Sequence, residues 1–245
     1  MALAIYIKKP PKIYFKPTPQ DLQRRKKKER FFFFLMSALG VISVIFAIGP
    51  TLIWQLTTLQ KLTSKVDQVP VPQTQVLSQA TTMANDIQVV EDPDGFSYFE
   101  TAYKPPEERP KEFLLTIPKL KIEKAKAKVD SLRFDQNLAH FPGSAIPGEV
   151  GNAFITGHSV LPQFADPKNY KTIFTKLSDL EVGDDIYVQL AGETLHFSVQ
   201  YAKIVSPHDL SVLSPISTNG RNLTLMTCVP PGTNIKRLVV ITSLI

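Results

Sequence analysis

Residues 31–54, "FFFFLMSALGVISVIFAIGPTLIW", contain no charged side chain. A helix of that length, rising about 1.5 Å per residue, covers a hydrocarbon layer of about 30 Å. Globular helices seldom stay apolar on every face for so long, which argues against a soluble core helix. A cleaved signal peptide has an apolar centre of about 7–15 residues followed by small residues at the cleavage site. This run is longer and ends in "TLIWQL", so it reads as an uncleaved transmembrane signal anchor.

Charge gives that span a direction. Residues 1–30 carry ten Lys and Arg against Asp21 and Glu29, a net +8, whereas the whole 245-residue chain carries +6. Everything after residue 30 is therefore slightly acidic, and the pI of 9.3 belongs to the tail. "RRKKKER" directly before a span fits the positive-inside pattern and a contact with anionic membrane lipid better than nucleic-acid binding. The expected topology is a cytoplasmic basic tail at 1–30, a transmembrane anchor at 31–54, and the remainder outside the cell membrane. Trp54 suits the interfacial aromatic belt.

Beyond the span, Leu56, Leu59, Leu62 and Val66 recur at helical spacing, so the helix is expected to continue until "VPVPQTQ". A Gln-, Thr- and Ser-rich stretch and the proline-rich "KPPEERPKE" (104–112) follow, with little to bury. Residues 55–112 read as a stalk or linker that lifts a domain off the membrane surface. The aromatic "FSYFE" at 96–100 interrupts it, either as a lid-like segment or as packing beneath a loop.

From residue 113 the apolar period changes to two. "FLLTI", "NAFITG", "DIYVQL", "LHFSVQYAKIV", "NLTLMT" and "RLVVITSL" are predicted strands bounded by Pro, Gly, Asn and Asp. Only "YKTIFTKLSDL" (170–180) reads as a helix, with Ile173, Phe174 and Leu177 on one face. Residues 113–245 are thus expected to form an all-β sandwich or closed barrel. A parallel α/β sheet lacks the crossover helices it would need.

Cys228 is the single cysteine, at the end of an apolar strand and nine residues before Arg237 in "NLTLMTCVPPGTNIKRLVV" (222–240). One cysteine forms no internal disulfide, which leaves a buried hydrophobe or a nucleophile. His140, His158, His196 and His208 show no paired metal-ligand spacing with it or with one another. His158 ends the strand of "GNAFITGHSVLP" (151–162), where a loop meets solvent. A nearby imidazolium or guanidinium stabilises a thiolate, so Cys228, His158 and Arg237 could supply nucleophile, proton-transfer partner and cation. Spacing alone does not bring them together.

"TLMTCVPPGTNIKRLVV" resembles the active-site signature of sortases, a threonine-leucine-x-threonine-cysteine strand followed by a strand that begins with the catalytic arginine. "NLAHFPGSAIPGEVGNAFITGHS" (137–159) resembles the same family's upstream block, which leads into the catalytic histidine. The resemblance covers about residues 113–245. It implies a closed eight-stranded sortase-type β-barrel with one or two short helices, preceded by the transmembrane helix, and a cysteine transpeptidase acting outside the membrane. No cofactor is expected, and the ligand spacing gives no metal site. Such enzymes cleave a C-terminal sorting signal, typically LPxTG-like, of secreted proteins. They hold the acyl group as a thioester and pass it to an amine on a cell-wall precursor or pilin. On this resemblance Cys228 is the nucleophile, His158 the general acid and base, Arg237 the oxyanion and substrate-backbone ligand, and Thr227 a substrate-binding helper.

The Cys228-to-Arg237 interval resembles the pilin-polymerising class C group, as does "EDPDGF" ahead of the barrel. The segment "SVLPQFADPKNY" after His158 departs from that group, and no second apolar span follows the barrel. A housekeeping or accessory anchoring enzyme is therefore an equal expectation. "EDPDG" (91–95) lacks the full ligand loop of a calcium site. Two other outcomes remain in view: a sortase-fold hydrolase that gives the acyl group to water, and an inactive β-barrel scaffold or receptor.

Overall fold

The structure is a computed structural model, and it describes residues 19–54, 56–57, 87–91, 97–102, 104 and 108–245. The chain divides into two units, residues 1–49 and 50–245. Helix α1 runs from Pro19 to Trp54. It begins before the apolar run because Gln, Arg, Lys and Glu are good helix formers, and Pro19 opens it where a missing N–H costs nothing. Within α1, Lys26–Pro50 is long and apolar enough to cross a membrane, and none of its span is buried. Phe31, Phe33, Phe34 and Phe46 are each about two-thirds or more exposed, a surface that suits lipid rather than water. The expected extension along Leu59, Leu62 and Val66, and most of the stalk, lie outside the described residues.

Eight strands close into a barrel: β3 (Glu112–Ile117), β4 (Ile122–Lys128), β5 (Leu138–His140), β6 (Gly151–Thr156), β7 (Asp185–Leu190), β8 (Glu193–Val205), β9 (Arg221–Val229) and β10 (Lys236–Leu244). Their order around the wall is β10-β8-β7-β3-β4-β5-β6-β9. The β4–β5 and β6–β9 pairs are parallel and the rest antiparallel. Closure removes both free sheet edges. The six strands read from the sequence are all present. β4 and β5 are additional: "IEKAKAK" places only Ile122, Ala125 and Ala127 inward, alanine is a poor strand former, and β5 has three residues.

Alternation along the strands builds two apolar clusters. Inward-facing Phe113, Leu115, Ile155, Phe197, Leu225 and Leu238 belong to the barrel core. Residues of opposite phase, Phe154, Met226, Val239 and Ile241, form a second cluster with Phe141 and Phe99. Phe99 comes from a two-stranded hairpin, β1 (Ile87–Glu91) and β2 (Ser97–Thr101). Its ring centroid lies 6.1 Å from those of Phe141 and Phe154, and it is 5% exposed. Phe99 of the expected stalk is therefore packed on the barrel wall, while Phe96 lies outside the described residues.

The helix expected over 170–180 is not formed. A chain of tight turns takes its place, closed by bonds such as Thr172 N–H to Asn169 O and Thr175 N–H to Thr172 O. It ends in a single 3-10 turn at Leu177–Asp179. Thr172, Ile173 and Thr175 are β-branched, and both threonine hydroxyls donate to nearby carbonyls, which competes with an α-helical ladder. The spacing nevertheless identified the packing face: Ile173, Phe174 and Leu177 are buried.

Candidate active site

β9 and β10 are antiparallel neighbours, and their register sets Cys228 directly opposite Arg237. Strand period two gives Cys228 the phase of Met226, and Arg237 the phase of Val239 and Ile241. All three apolar residues belong to the outer cluster, so the thiol and the guanidinium lie on the barrel's outer wall and not in its core. On the other side of β9 runs β6, in parallel register from Gly151↔Arg221 to Thr156↔Met226. His158 follows two residues after β6 ends.

Backbone clamps hold that strand end. Gly157 N–H donates to Met226 O (3.2 Å), and Phe174 N–H donates to His158 O (3.0 Å). The Ser159 hydroxyl donates to Cys228 O at 2.6 Å, and the Thr227 hydroxyl donates to Gly157 O at 2.8 Å. Side chains thus tie the histidine's strand to the cysteine's strand on both sides of His158. A Cβ at Gly157 would lie 2.6 Å from Phe174 Cδ2 and 2.8 Å from Leu138 Cδ2. Since both of those side chains are fully buried, only glycine fits there.

Cys228, His158, Arg237 and Thr227 line one cavity of about 730 Å³, together with Tyr98, Phe99 and Glu100 of the β1–β2 hairpin and Ser131–Asp135 of the β4–β5 loop. Cys228 is half-buried. Burial pushes its thiol pKa up, and the Arg237 guanidinium opposes that. Burial likewise lowers the pKa of His158, with Asp135 acting in the opposite sense. The resting pair is accordingly neutral thiol and neutral imidazole. Among the described residues the hydrogen-bond partner of His158 is not the thiol but Asp135: Nε2–H donates to Oδ1 at 3.2 Å. Arg237 is 3% exposed, and its Nη1 donates to Asn234 O (2.9 Å) and Lys236 O (3.2 Å). These bonds hold the fork in place. Thr227 is also buried, 2% exposed, with its hydroxyl proton committed to Gly157.

The other histidines stand apart from this cavity's lining. His140 is wholly buried in β5. Asp130 N–H donates to its Nδ1 (3.4 Å), and its Nε2–H donates to Ala145 O (2.8 Å), which fixes a neutral tautomer inside the barrel wall. His196 stacks on Tyr187 and pairs with Asp185 at 2.7 Å. Among the described residues no group of three or more His, Cys, Asp or Glu could hold a metal ion. Residues 92–95 of the acidic "EDPDG" lie outside the described residues.

Sequence reasoning missed Asp135, Phe134, Gly157 and Ser159. A glycine before a histidine and a serine after it carry a weak local signal. Asp135 carries none, because its contact with His158 spans 23 residues.

A cysteine, a histidine and an arginine around one cleft on a closed barrel can perform acyl transfer through a thioester. The sortase-domain family model matches residues 115–245, more than half of the chain. Among solved structures, the chain resembles a lid mutant of sortase A from Corynebacterium diphtheriae, with 32% identity over 56% of this chain and 72% of that one, TM-score 0.48. Sortase C-1 from Actinomyces oris is 26% identical over 56% of this chain and 76% of that one, TM-score 0.48. A sortase D5 transpeptidase from Clostridium perfringens is 21% identical over 78% of this chain and 98% of that one, TM-score 0.46. No significant match was found among the curated proteins. With its domain match spanning the barrel from β3 to the last strand, the chain belongs to the sortase family of transpeptidases.

Proposed function

We propose that this chain is a membrane-anchored cysteine transpeptidase in which Cys228 is the nucleophile, His158 the general acid and base, and Arg237 the oxyanion ligand. The supporting observation is the register of β9 and β10, which sets Arg237 opposite Cys228 in a cavity that His158 also lines. The Cys228 thiolate attacks the carbonyl carbon of the scissile peptide bond, and Arg237 N–H groups receive the developing oxyanion. The tetrahedral intermediate collapses with cleavage of the C–N bond, and the His158 imidazolium gives its proton to the leaving amine. A thioester remains on Sγ. An incoming amine then attacks it, His158 takes the amine's proton, and the thiolate leaves.

The substrate class is a secreted protein with an LPxTG-like C-terminal sorting signal, and the acceptor is an amine on a cell-wall precursor or pilin. α1 is read as the single-pass anchor that keeps residues 1–30 in the cytoplasm and the catalytic barrel, residues 113–245, outside. The test is to incubate the full chain in detergent micelles with a sorting-signal peptide, with and without oligoglycine or a lysine peptide, and to identify products by mass spectrometry. Amine-dependent ligation and a thioester on Cys228 are expected, and Cys228→Ala should form neither. Cleavage that ignores the amine would assign a hydrolase, and the lack of a thioester across a broad peptide library would leave only a scaffold.

A further inference from the structure

The β4–β5 loop, residues 129–137, is more than a connection between two barrel strands. Its base is fixed by Asp130, whose carboxylate accepts from Arg109 (3.1 Å) and from Gly143 N–H (3.2 Å). That side chain is only 6% exposed. The loop's interior is braced by Asn137, whose Nδ2 donates to Arg133 O (2.9 Å) and Leu138 O (2.8 Å), and by Ser131, whose Oγ accepts from Arg133 N–H (3.2 Å). What this braced loop presents to the cavity is Phe134 and Asp135. The Phe134 ring centroid lies 4.1 Å from that of His158, tilted by 44°, and Asp135 accepts from His158 Nε2.

We infer that Asp135, supported by Phe134, is a positioning residue for the acyl-transfer reaction: it fixes the orientation of the His158 ring and stabilises its imidazolium form. This inference rests on the proposed role of His158. With Nε2 committed to Asp135, Nδ1 is the nitrogen that exchanges protons with the thiol and the two amines. The aromatic face beside the ring also favours the cationic imidazole. The Asp135 contact opposes the burial that favours the neutral ring. The other titratable and charged groups around His158 are Lys171, which disfavours the imidazolium, and Glu100, Arg133, Arg237 and the neutral Cys228 thiol in the cavity lining.

The consequence for rate follows from the protonation states. When the thiol pKa lies above that of the imidazole, the competent thiolate–imidazolium pair is a small fraction fixed by their difference over the whole pH range between them. Loss of the carboxylate lowers that fraction across the plateau and moves the acid limb to lower pH. Below the imidazole pKa the fraction no longer depends on it, so the two profiles converge there. A loss of folded enzyme lowers the profile equally at every pH and gives no convergence.

The experiment uses the full chain in micelles as wild type, Asp135→Asn and Asp135→Glu. Asp135 is 68% exposed, and exposed pairs of this kind support roughly a two- to fivefold effect. Asp135→Asn is expected to lower plateau kcat/KM by that factor, shift the acid limb down by about 0.3–0.7 pH units, leave the alkaline limb in place and converge with wild type in acid. Asp135→Glu is expected to recover most of the loss. The His158 titration itself is read by NMR on histidine-labelled protein, with its signal assigned by its absence from His158→Gln. An unchanged His158 pKa in Asp135→Asn overturns the inference. A lowered pKa with an unchanged rate profile removes the catalytic role of His158, and the inference with it.

Discussion

At the scale of residues, the site's chemistry is set by two shifts of opposite sign. Cys228 titrates above its ordinary 9.0 because burial penalises the thiolate more than Arg237 relieves it. His158 titrates below its ordinary 6.5 because burial penalises the imidazolium more than Asp135 relieves it. The thiolate–imidazolium pair that the proposed mechanism requires is consequently a minority at every pH, and slow turnover is the expected result. The pH profile of kcat/KM, measured by ligation rates between pH 5 and 10.5, is expected to be a broad bell with an acid limb below 6.5 and an alkaline limb above 9.0. An acid limb above pH 7 would mean that the imidazolium is favoured at rest. Arg237 is buried, with its Nη1 donating to Asn234 O and Lys236 O, so its planar fork is pre-set. Arg237→Lys keeps the charge and loses the fork, and should lower kcat/KM by about 10²-fold or more. A near-normal rate would show that charge alone suffices there.

Among elements, the decisive junction is the end of β6 against β9. Gly157 links the Thr227 hydroxyl to the His158 strand end, and its Cα faces Phe174 and Leu138 with no room for a methyl group. Gly157→Ala forces the strand end outward, at a cost of about 1–3 kcal/mol of stability from overpacking. A displacement of the imidazole of about 1 Å lowers kcat/KM by up to about 10²-fold. Thermal unfolding and ligation rates check the two effects separately, and unchanged values for both would mean that the core yields without moving β6. The turns at 170–180 belong to the same junction, because Phe174 N–H holds His158 O and the Thr175 hydroxyl accepts from Val160 N–H. Their i, i+3, i+4 apolar spacing marked the face that packs, but β-branched residues with competing hydroxyls turned a predicted helix into consecutive tight turns. "IEKAKAK" carried too little apolar character to be read as a strand. Its partners β3 and β5 made it one.

The whole molecule combines a lipid-suited helix with a water-facing barrel. Protease added to intact cells is expected to degrade the barrel, while an epitope placed before residue 19 stays protected until the membrane is permeabilised. Protection of the barrel, or digestion of the epitope in intact cells, would reverse the proposed topology. The long apolar helix, the charge asymmetry beside it and the all-β class were legible in the chain, because each depends on local regularities: an unbroken apolar run, a cluster of like charges, an alternation of period two. Alternation left a sandwich or a barrel, and the resemblance to sortases implied the closed barrel. The motifs around His158 and Cys228 were legible for a related reason, since both lie at strand ends that alternation locates. Composition and spacing left Cys228 divided between buried filler and nucleophile, and only the sortase-like motifs implied the nucleophile. The β9–β10 register turned the thiol outward to face a cavity, opposite a guanidinium nine residues away. Barrel closure brought the β4–β5 loop to the imidazole, and the aromatic hairpin packed beside the same cavity. Those contacts join residues far apart along the chain, where nothing local records who the neighbour will be. Only the tertiary structure decides them, because only closure of the barrel fixes which strand ends and loops share an edge.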